Sequence, residues 1–445
     1  MTALPIDPIL PDLVAALRAH GRAVLQAPPG AGKTTRVPLA MLKANDVQGR
    51  IIMIEPRRLA TRAAAERLAQ TLNEPVGQRV GYRMRGDTCV SASTRIEVVT
   101  DGILTRMLQS DPDLKGIGAI IFDEFHERSL NADLALALAW EIRAVLRPDL
   151  QILVMSATLD AAPVAQMLDD APILTSQGRA YPVTTHHLPK SVPKTVRLEH
   201  ATADLIAGAV SQTTGGVLVF LPGEGEIRRV EAALANRLPA DCAVRPLYGA
   251  LPFAAQRAAI APVTQGRKIV LSTSIAETSL TIEDIRVVID AGLARRARFD
   301  PASGMSRLVT ERVSRAEATQ RAGRAGRVAA GACYKLWTKG EDGALPAFAP
   351  AEIEAADLAP LALELAQWGS DDLAFLTPPP AGTLSEAKRL LVALGALDDD
   401  HRITAHGRAI ADLPLHPRLA HMLLRAGKQA APLAALLAAR DPLRG

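Results

Sequence analysis

Short apolar runs recur along the first half of the chain, and a polar cluster closes each one. Residues 23–25, 50–54, 94–100, 117–122 and 151–155 read as strands, followed in turn by QAPPGAGKTT, EPRR, DG, DEFH and SAT. Residues 13–20, 36–42 and 59–72 carry helical spacing between them. This alternation predicts an α/β lobe with a parallel sheet covered on both faces. Ligands bind such sheets beyond the carboxyl ends of the strands, where every one of these polar clusters falls.

Prolines at 163, 172, 182, 189 and 193 mark a transition over residues 160–194. Strands at 217–221, 268–271 and 286–289 then alternate with helices at 224–235 and 254–260, predicting a second parallel lobe without a phosphate loop of its own. Two such lobes imply a cleft with nucleotide between them. Residues 295–310 read as a hairpin projecting from the second lobe, and 358–368 and 384–397 as amphipathic helices beyond it.

Composition narrows the picture. A chain of 445 residues that is 48% hydrophobic and 22% charged has the makings of several folded domains. Cys89, Cys242 and Cys333 lie far apart with no CxxC, which argues against a zinc site or disulfide framework and fits a reducing compartment. The N-terminus lacks a basic stretch ahead of an apolar run, and no run reaches membrane-spanning length, so a cytoplasmic protein is expected. The net charge of +4 says little, but residues 285–327 hold ten arginines against four acids. With only 3% aromatic residues, nucleic-acid contacts are expected on the sugar-phosphate backbone rather than by base stacking.

Three strings carry the candidate chemistry. In Gly30-Ala31-Gly32-Lys33-Thr34-Thr35 the glycines allow backbone N–H groups to close on phosphate oxygens, and the next helix presents its positive end. Lys33 would reach the β- and γ-phosphates and the Thr34 hydroxyl would bind Mg²⁺. Asp123 and Glu124 end an apolar strand; Asp123 can hold Mg²⁺ through water, and Glu124 can orient and deprotonate an attacking water. An acidic strand end before a helix is the plainer reading of that pair. His126 is no metal-protease ligand, because the second histidine of an HExxH would fall on Leu130. In QRAGRAGR, spacing by three predicts Arg321, Arg324 and Arg327 together on one helix face, pointing into the cleft as phosphate-facing fingers or, alternatively, as a solvated basic patch.

Taken in order, APPGAGKTT, EPRRLATRAAAERLA, TDGIL, DEFH, SAT, LVFLPG, STSIAETSLTI and QRAGRAGR resemble the motifs of the DEAH-box/RHA branch of superfamily 2 helicases. The resemblance runs from residue 27 to 327 and implies two tandem RecA-like lobes that bind ATP, or other NTPs, with Mg²⁺. It implies a division into 1–168, 169–343, a winged-helix-like 344–410 and the start of a helical bundle at 411–445. Relatives in the family usually continue beyond this point, so an incomplete or unusually short member is expected, in which robust unwinding is in doubt. Lys33, Thr34, Asp123 and Glu124 would carry the first-lobe chemistry, with Glu124 also near the metal. His126 would pair with Gln320 across the cleft, Gln320 would place the water, and Arg324 and Arg327 would contact phosphates. Ser279 and Thr281 would sense the γ-phosphate, while Ser156 and Thr158 would relay nucleotide state. Arg57, Arg58, Thr100, Asp101, Gly102 and Thr278 would hold a nucleic-acid backbone, and the hairpin would part strands. Ala27 stands where the family's loop has its first glycine, and Phe125 replaces the alanine of its name motif.

The resulting expectation is a monomeric NTPase that moves 3′→5′ on single-stranded RNA. Two other readings stand beside it: a nucleotide-gated clamp that remodels nucleic acid without unwinding it, and a DNA translocase. A P-loop metabolic kinase is disfavoured, since it has no use for a second lobe with an arginine triplet.

Overall fold

Two parallel sheets dominate the computed structural model, which describes residues 3–157, 161–177, 181–263, 265–277, 282, 284–300 and 305–438. The first sheet contains β1 (Arg22–Gln26), β2 (Arg50–Ile54), β3 (Val80–Met84), β4 (Asp87–Cys89), β5 (Ile96–Val99), β6 (Ile117–Phe122), β7 (Gln151–Ser156) and β8 (Ile173–Thr175). Their order is β4-β3-β5-β2-β6-β7-β1-β8, and only the β3–β4 pair is antiparallel. The register sets Gln26 opposite Ser156 and Ile54 opposite Phe122, so the turns after β1, β2, β6 and β7 meet at one rim.

Alternation along the strands decides which helices cover which face. Ala23, Leu25, Ile51 and Met53 pack under the helices Leu10–His20, Lys33–Ala44 and Arg58–Thr71. Val24, Ile52, Ile54 and Phe122 pack against Leu130–Val145, which begins where the amide of Ala132 donates to Ser129 Oγ at 3.1 Å.

The second sheet is all parallel, in the order β11-β12-β10-β13-β16-β9. Its strands are β9 (Val183–His187), β10 (Gly216–Phe220), β11 (Cys242–Leu247), β12 (Arg267–Ser272), β13 (Ile285–Asp290) and β16 (Gly331–Lys335). The strands β14 (Leu293–Asp300) and β15 (Met305–Arg312) form the expected hairpin. Its arginines are largely matched by acids: Arg295 by Glu226, Arg296 by Glu311 and Glu317, and Arg298 by Glu311. The local basic excess of the sequence is therefore only partly available to a polyanion.

Beyond the second lobe the chain returns to the first. The helices Ala359–Trp368 and Ala381–Ala393 contribute Leu361, Leu365 and Leu391 to the same apolar core as Leu134, Leu138 and Ile142. Trp368 Nε1 donates to Glu141 at 2.6 Å, Gln109 Nε2 to the Glu364 carbonyl at 3.0 Å, and Arg128 Nη2 to Thr377 Oγ1 at 2.9 Å. A bridge between Leu397 and Ile403 precedes the helix Ala405–Ala411, as a small wing would. His416 caps the helix Pro417–Ala426, its Nδ1 accepting from the amide of Arg418 at 3.3 Å. No helix among the described residues is long and apolar enough to cross a membrane.

Because one core serves both parts, Leu365→Ala is expected to destabilise the first lobe and the C-terminal helices together, by about 2–5 kcal/mol. Urea unfolding followed by tryptophan fluorescence and far-UV circular dichroism should show coincident, equally shifted transitions. Separate transitions, with only the later one shifted, would contradict a shared core.

Candidate active site and inter-lobe groove

The loop after β1 turns back on itself through Gly30 and Gly32, at φ of 85° and 99°. Both positions demand the left-handed region, which glycine enters without strain. Ala27 is fully buried, its amide donating to the Ser156 carbonyl at 3.0 Å, so the position that departs from the family pattern acts as packing. Lys33 and Thr34 open the helix that follows the loop.

Lys33 is 4% exposed, and its Nζ donates to Glu124 Oε1 at 2.8 Å and lies 3.9 Å from Asp123 Oδ1. Burial alone would drain its charge, but the two carboxylates prevail and hold its pKa above the ordinary value. Asp123 accepts from the Thr34 hydroxyl and from the amide of Glu124. Burial pushes the Asp123 carboxyl up to about 6, against the pull of Lys33. Burial also acts on Glu124, yet Lys33 and His126 bring it down to about 2. The pair thus presents one carboxylate that is ionised throughout the physiological range and one that holds its charge at a cost.

Phe125 turns inward, 1% exposed, its ring edge-on to Phe122 at 6.2 Å. That anchor fixes the turn carrying Asp123, Glu124 and His126. The expected pairing across the cleft is present in space: Gln320 Nε2 lies 2.9 Å from His126 Nε2. Burial lowers the His126 pKa, favouring the neutral ring. Nδ1 of the same ring lies 3.4 Å from Glu124 Oε2. The same ring lies 3.5 Å from the amide nitrogen of Ala157, so it abuts the Ser156-Ala157 turn; Ser156 itself is buried.

Two of the three arginines lie close enough to this cluster to feel its charge. Arg324 and Arg327 both lie within reach of the Glu124 charge; burial takes Arg324 well below its usual value and Arg327 down to about 10. Arg321 does not join them, contrary to the spacing argument. The helix Arg315–Gly323 ends before Arg324, and Arg324–Gly326 continues as a 3₁₀ turn, so the periodicity of one α-helix does not span all three. Arg321 turns into the second lobe, onto Glu277 and Asp290.

The nucleic-acid candidates separate. Arg57 and Arg58 line a groove of about 560 Å³ between the lobes, with Arg62 and Leu59 from the same helix and Phe253, Thr273 and Ser274 from the second lobe. Arg57 spans the groove floor: Nη1 donates to the Ser274 carbonyl and Nη2 lies 3.2 Å from Glu127, the neighbour of His126. Thr100, Asp101 and Gly102 begin the helix to Ser110 apart from that groove. The Asp101 carboxylate is committed to Ser129 Oγ at 2.7 Å and the Gly102 amide at 2.9 Å. Thr158, Thr278, Ser279 and Thr281 lie outside the described residues.

Sequence reasoning missed Arg62, Glu127, Phe253, Thr273, Ser274 and Glu277. The first two sit within or beside quoted motifs but carry no signal of their own. Ser274 acts through its carbonyl, which any residue would supply. Phe253 brings an aromatic ring to a groove in which none was expected, with the Arg62 guanidinium 4.5 Å from its centroid across the lobes.

Two parallel-sheet lobes that meet over a phosphate loop, an acidic strand end and a glutamine–arginine string define the tandem RecA-like fold of superfamily 2 helicases. Residues 10–167 match the DEAD/DEAH box helicase model, 199–329 the helicase conserved C-terminal domain, and 389–415 the winged-helix helicase associated domain (HA2). The chain belongs to the DEAH-box/RHA helicase family. It is 50% identical over 430 residues to the ATP-dependent RNA helicase HrpB of Escherichia coli (strain K12), covering 96% of this chain and 53% of that protein. It is 36% identical over 437 residues to HrpA of the same organism, covering 96% and 34%. A crystal structure of Escherichia coli DEAH/RHA helicase HrpB superposes with a TM-score of 0.93 at 48% identity, over 100% of this chain and 57% of that one. A second, of the E. coli DExH-box NTPase HrpB, gives 0.89 at 49%, over 100% and 56%. The chain thus spans about half the length of HrpB and a third of HrpA.

The raised Asp123 carboxyl gives a signed expectation. An acid whose folded pKa exceeds its unfolded one loses stability as pH rises between the two values, here from about 4 to about 6. Asp123→Asn should therefore stabilise the nucleotide-free protein near pH 7.5 by about 1–3 kcal/mol, and by less near pH 5. Denaturant melts at the two pH values check this; an unchanged or lowered midpoint near pH 7.5 would show that the Asp123 charge is not costly.

Proposed function

We propose that the chain is an NTP-dependent RNA helicase: it hydrolyses ATP, and other NTPs less selectively, while moving 3′→5′ along single-stranded RNA. The observation that carries the reading is the meeting of Lys33, Asp123 and Glu124 with Arg324, Arg327 and Gln320 from the opposite lobe. RNA as the nucleic acid is supported by the similarity to HrpB and HrpA, both RNA helicases. A monomer working in the cytoplasm is part of the same reading.

The donor set fits Mg²⁺. Two buried carboxylates face a single lysine on the first lobe, and Asp123 holds its charge only at a cost, which a hard cation beside it and the Thr34 hydroxyl would relieve. Mg²⁺, when bound, neutralises charge on the phosphates.

Gly30, Ala31, Gly32, Lys33, Thr34 and Thr35 cradle the triphosphate. As Lys33 turns to the phosphates it leaves Glu124, and Glu124 is then available to orient water and take its proton. Gln320 helps to place that water, and His126 ties it to the first lobe. Arg324 and Arg327 meet the phosphate charge that develops in the transition state. Ser279 and Thr281 would report on the γ-phosphate, and Ser156 and Thr158 would pass nucleotide state to the groove. Arg57 and Arg58 hold the RNA backbone there, with Thr278 and the amide-rich helix start at Thr100, Asp101 and Gly102 extending the track. The β14–β15 hairpin stands as the wedge.

The direct test is hydrolysis with single-stranded RNA, double-stranded RNA and single-stranded DNA in parallel at fixed salt, with displacement of duplexes bearing 3′ or 5′ overhangs. Stimulation by single-stranded RNA, and displacement from the 3′ overhang, are expected. Hydrolysis without displacement would favour the clamp, and stimulation by DNA alone the DNA translocase. Glu124→Gln is expected to bind nucleotide with near-normal affinity and hydrolyse it at least about 100-fold more slowly; an unchanged rate removes Glu124 as the base. Arg327→Ala should lose about 1,000-fold in stimulated turnover with little change in RNA affinity; loss of RNA affinity alone would make it a plain phosphate contact.

A further inference from the structure

Arg321 is 1% exposed, and its guanidinium bonds to residues of the second lobe. Its Nε donates to Glu277 Oε1 at 2.5 Å, and its Nη1 to Asp290 Oδ1 at 2.8 Å and the Leu293 carbonyl at 3.2 Å. The guanidinium lies 5.0 Å from the centroid of the Phe220 ring. Asp290 ends β13 and is paired in register with Phe220 at the end of β10. The arginine is therefore fastened to two neighbouring strand ends of the rigid sheet. Burying a guanidinium is expensive unless its donors are met in good geometry, and two carboxylates with a carbonyl meet them here.

Glu277 is the second partner of that arginine, and it lies on no strand. It follows the 3₁₀ turn Ser274–Ala276 beyond β12 and is 6% exposed. Its side chain is held by Arg321, while its backbone carbonyl accepts from Arg324 Nε at 2.9 Å. With Nε anchored there, the plane and reach of the Arg324 guanidinium follow from where the Glu277 carbonyl sits. The sheet thus reaches Arg324 through one side chain and one peptide group.

We infer that Arg321 and Glu277 are a positioning pair for Arg324: they hold the Glu277 carbonyl so that the Arg324 guanidinium is preset toward the Lys33–Glu124 cluster. The inference rests on the NTPase reading above. Preset donors matter because a displacement of about 1 Å at a reacting centre costs on the order of 100-fold in rate. The arginine that sequence spacing grouped with the fingers is thus the one that aims a finger.

A mutant cycle with Arg324 tests this, because two residues acting through one guanidinium cannot be penalised twice. Arg321→Lys keeps the charge and loses the fork; Glu277→Gln keeps the volume and loses the ion pair. Each is expected to lower kcat at saturating ATP and single-stranded RNA by about 10- to 100-fold, with KM for ATP within about 3-fold. In an Arg324→Ala background, read in single-turnover reactions with enzyme in excess, neither should slow the residual rate by more than about 2-fold. A penalty carried in full into that background, or a rise in KM with kcat unmoved, overturns the inference. If Arg321→Lys does not fold, the cycle with Glu277→Gln decides alone. A parent chain that hydrolyses no nucleotide would instead overturn the reading of function itself, and the inference with it.

Discussion

A buried lysine between two buried carboxylates is the constraint on which this molecule turns. Lys33 cannot stay charged in that environment without Glu124 at 2.8 Å and Asp123 at 3.9 Å, and neither carboxylate is comfortable there without it. In the proposed function, a triphosphate would offer Lys33 a stronger partner and set Glu124 free. Guanidinium groups from the second lobe face the same point. The site is therefore assembled from residues of both lobes.

The groove and the cluster are joined by a short run of named contacts. Arg57 lines the groove, bonds the Ser274 carbonyl of the second lobe and pairs with Glu127. The next residue back, His126, meets Gln320 from the other lobe and faces Glu124. Displacing Arg57 by a phosphate backbone would act on one end of this run, and opening the lobes would break its other end. In the proposed function, these contacts would link the groove to the hydrolytic cluster.

Much of this was legible in the sequence because the chemistry sits at the ends of apolar strands. The runs at 23–25, 50–54 and 117–122 are buried throughout or nearly so, and their polar termini converge by register alone. The pairing of His126 with Gln320, 194 residues apart, came from family resemblance and is present in space. Other strands left no such signal. β9 is polar and mostly exposed, β11 contains Pro246, and each occupies a sheet edge, where these features are tolerated. Nor did β3 and β4, at the far side of the first sheet, stand out from the turn-rich sequence around them. The return of the C-terminal helices onto the first lobe was hidden for another reason. An amphipathic helix declares that it has a buried face but not what will cover it. Arg321 shows the same limit at one residue: spacing by three places side chains on one face only while the helix lasts, and this one ends at Gly323.

The central claim is that a single triphosphate is gripped from both lobes at once. A crystal structure with Mg²⁺, ADP and aluminium fluoride measures it directly. The account predicts Lys33 Nζ and the guanidinium groups of Arg324 and Arg327 within hydrogen-bonding distance of the fluoride or the β-phosphate, with Glu124 released from Lys33. A nucleotide held by the first lobe alone, with Arg324 and Arg327 turned from it while the lobes are closed, would contradict the account.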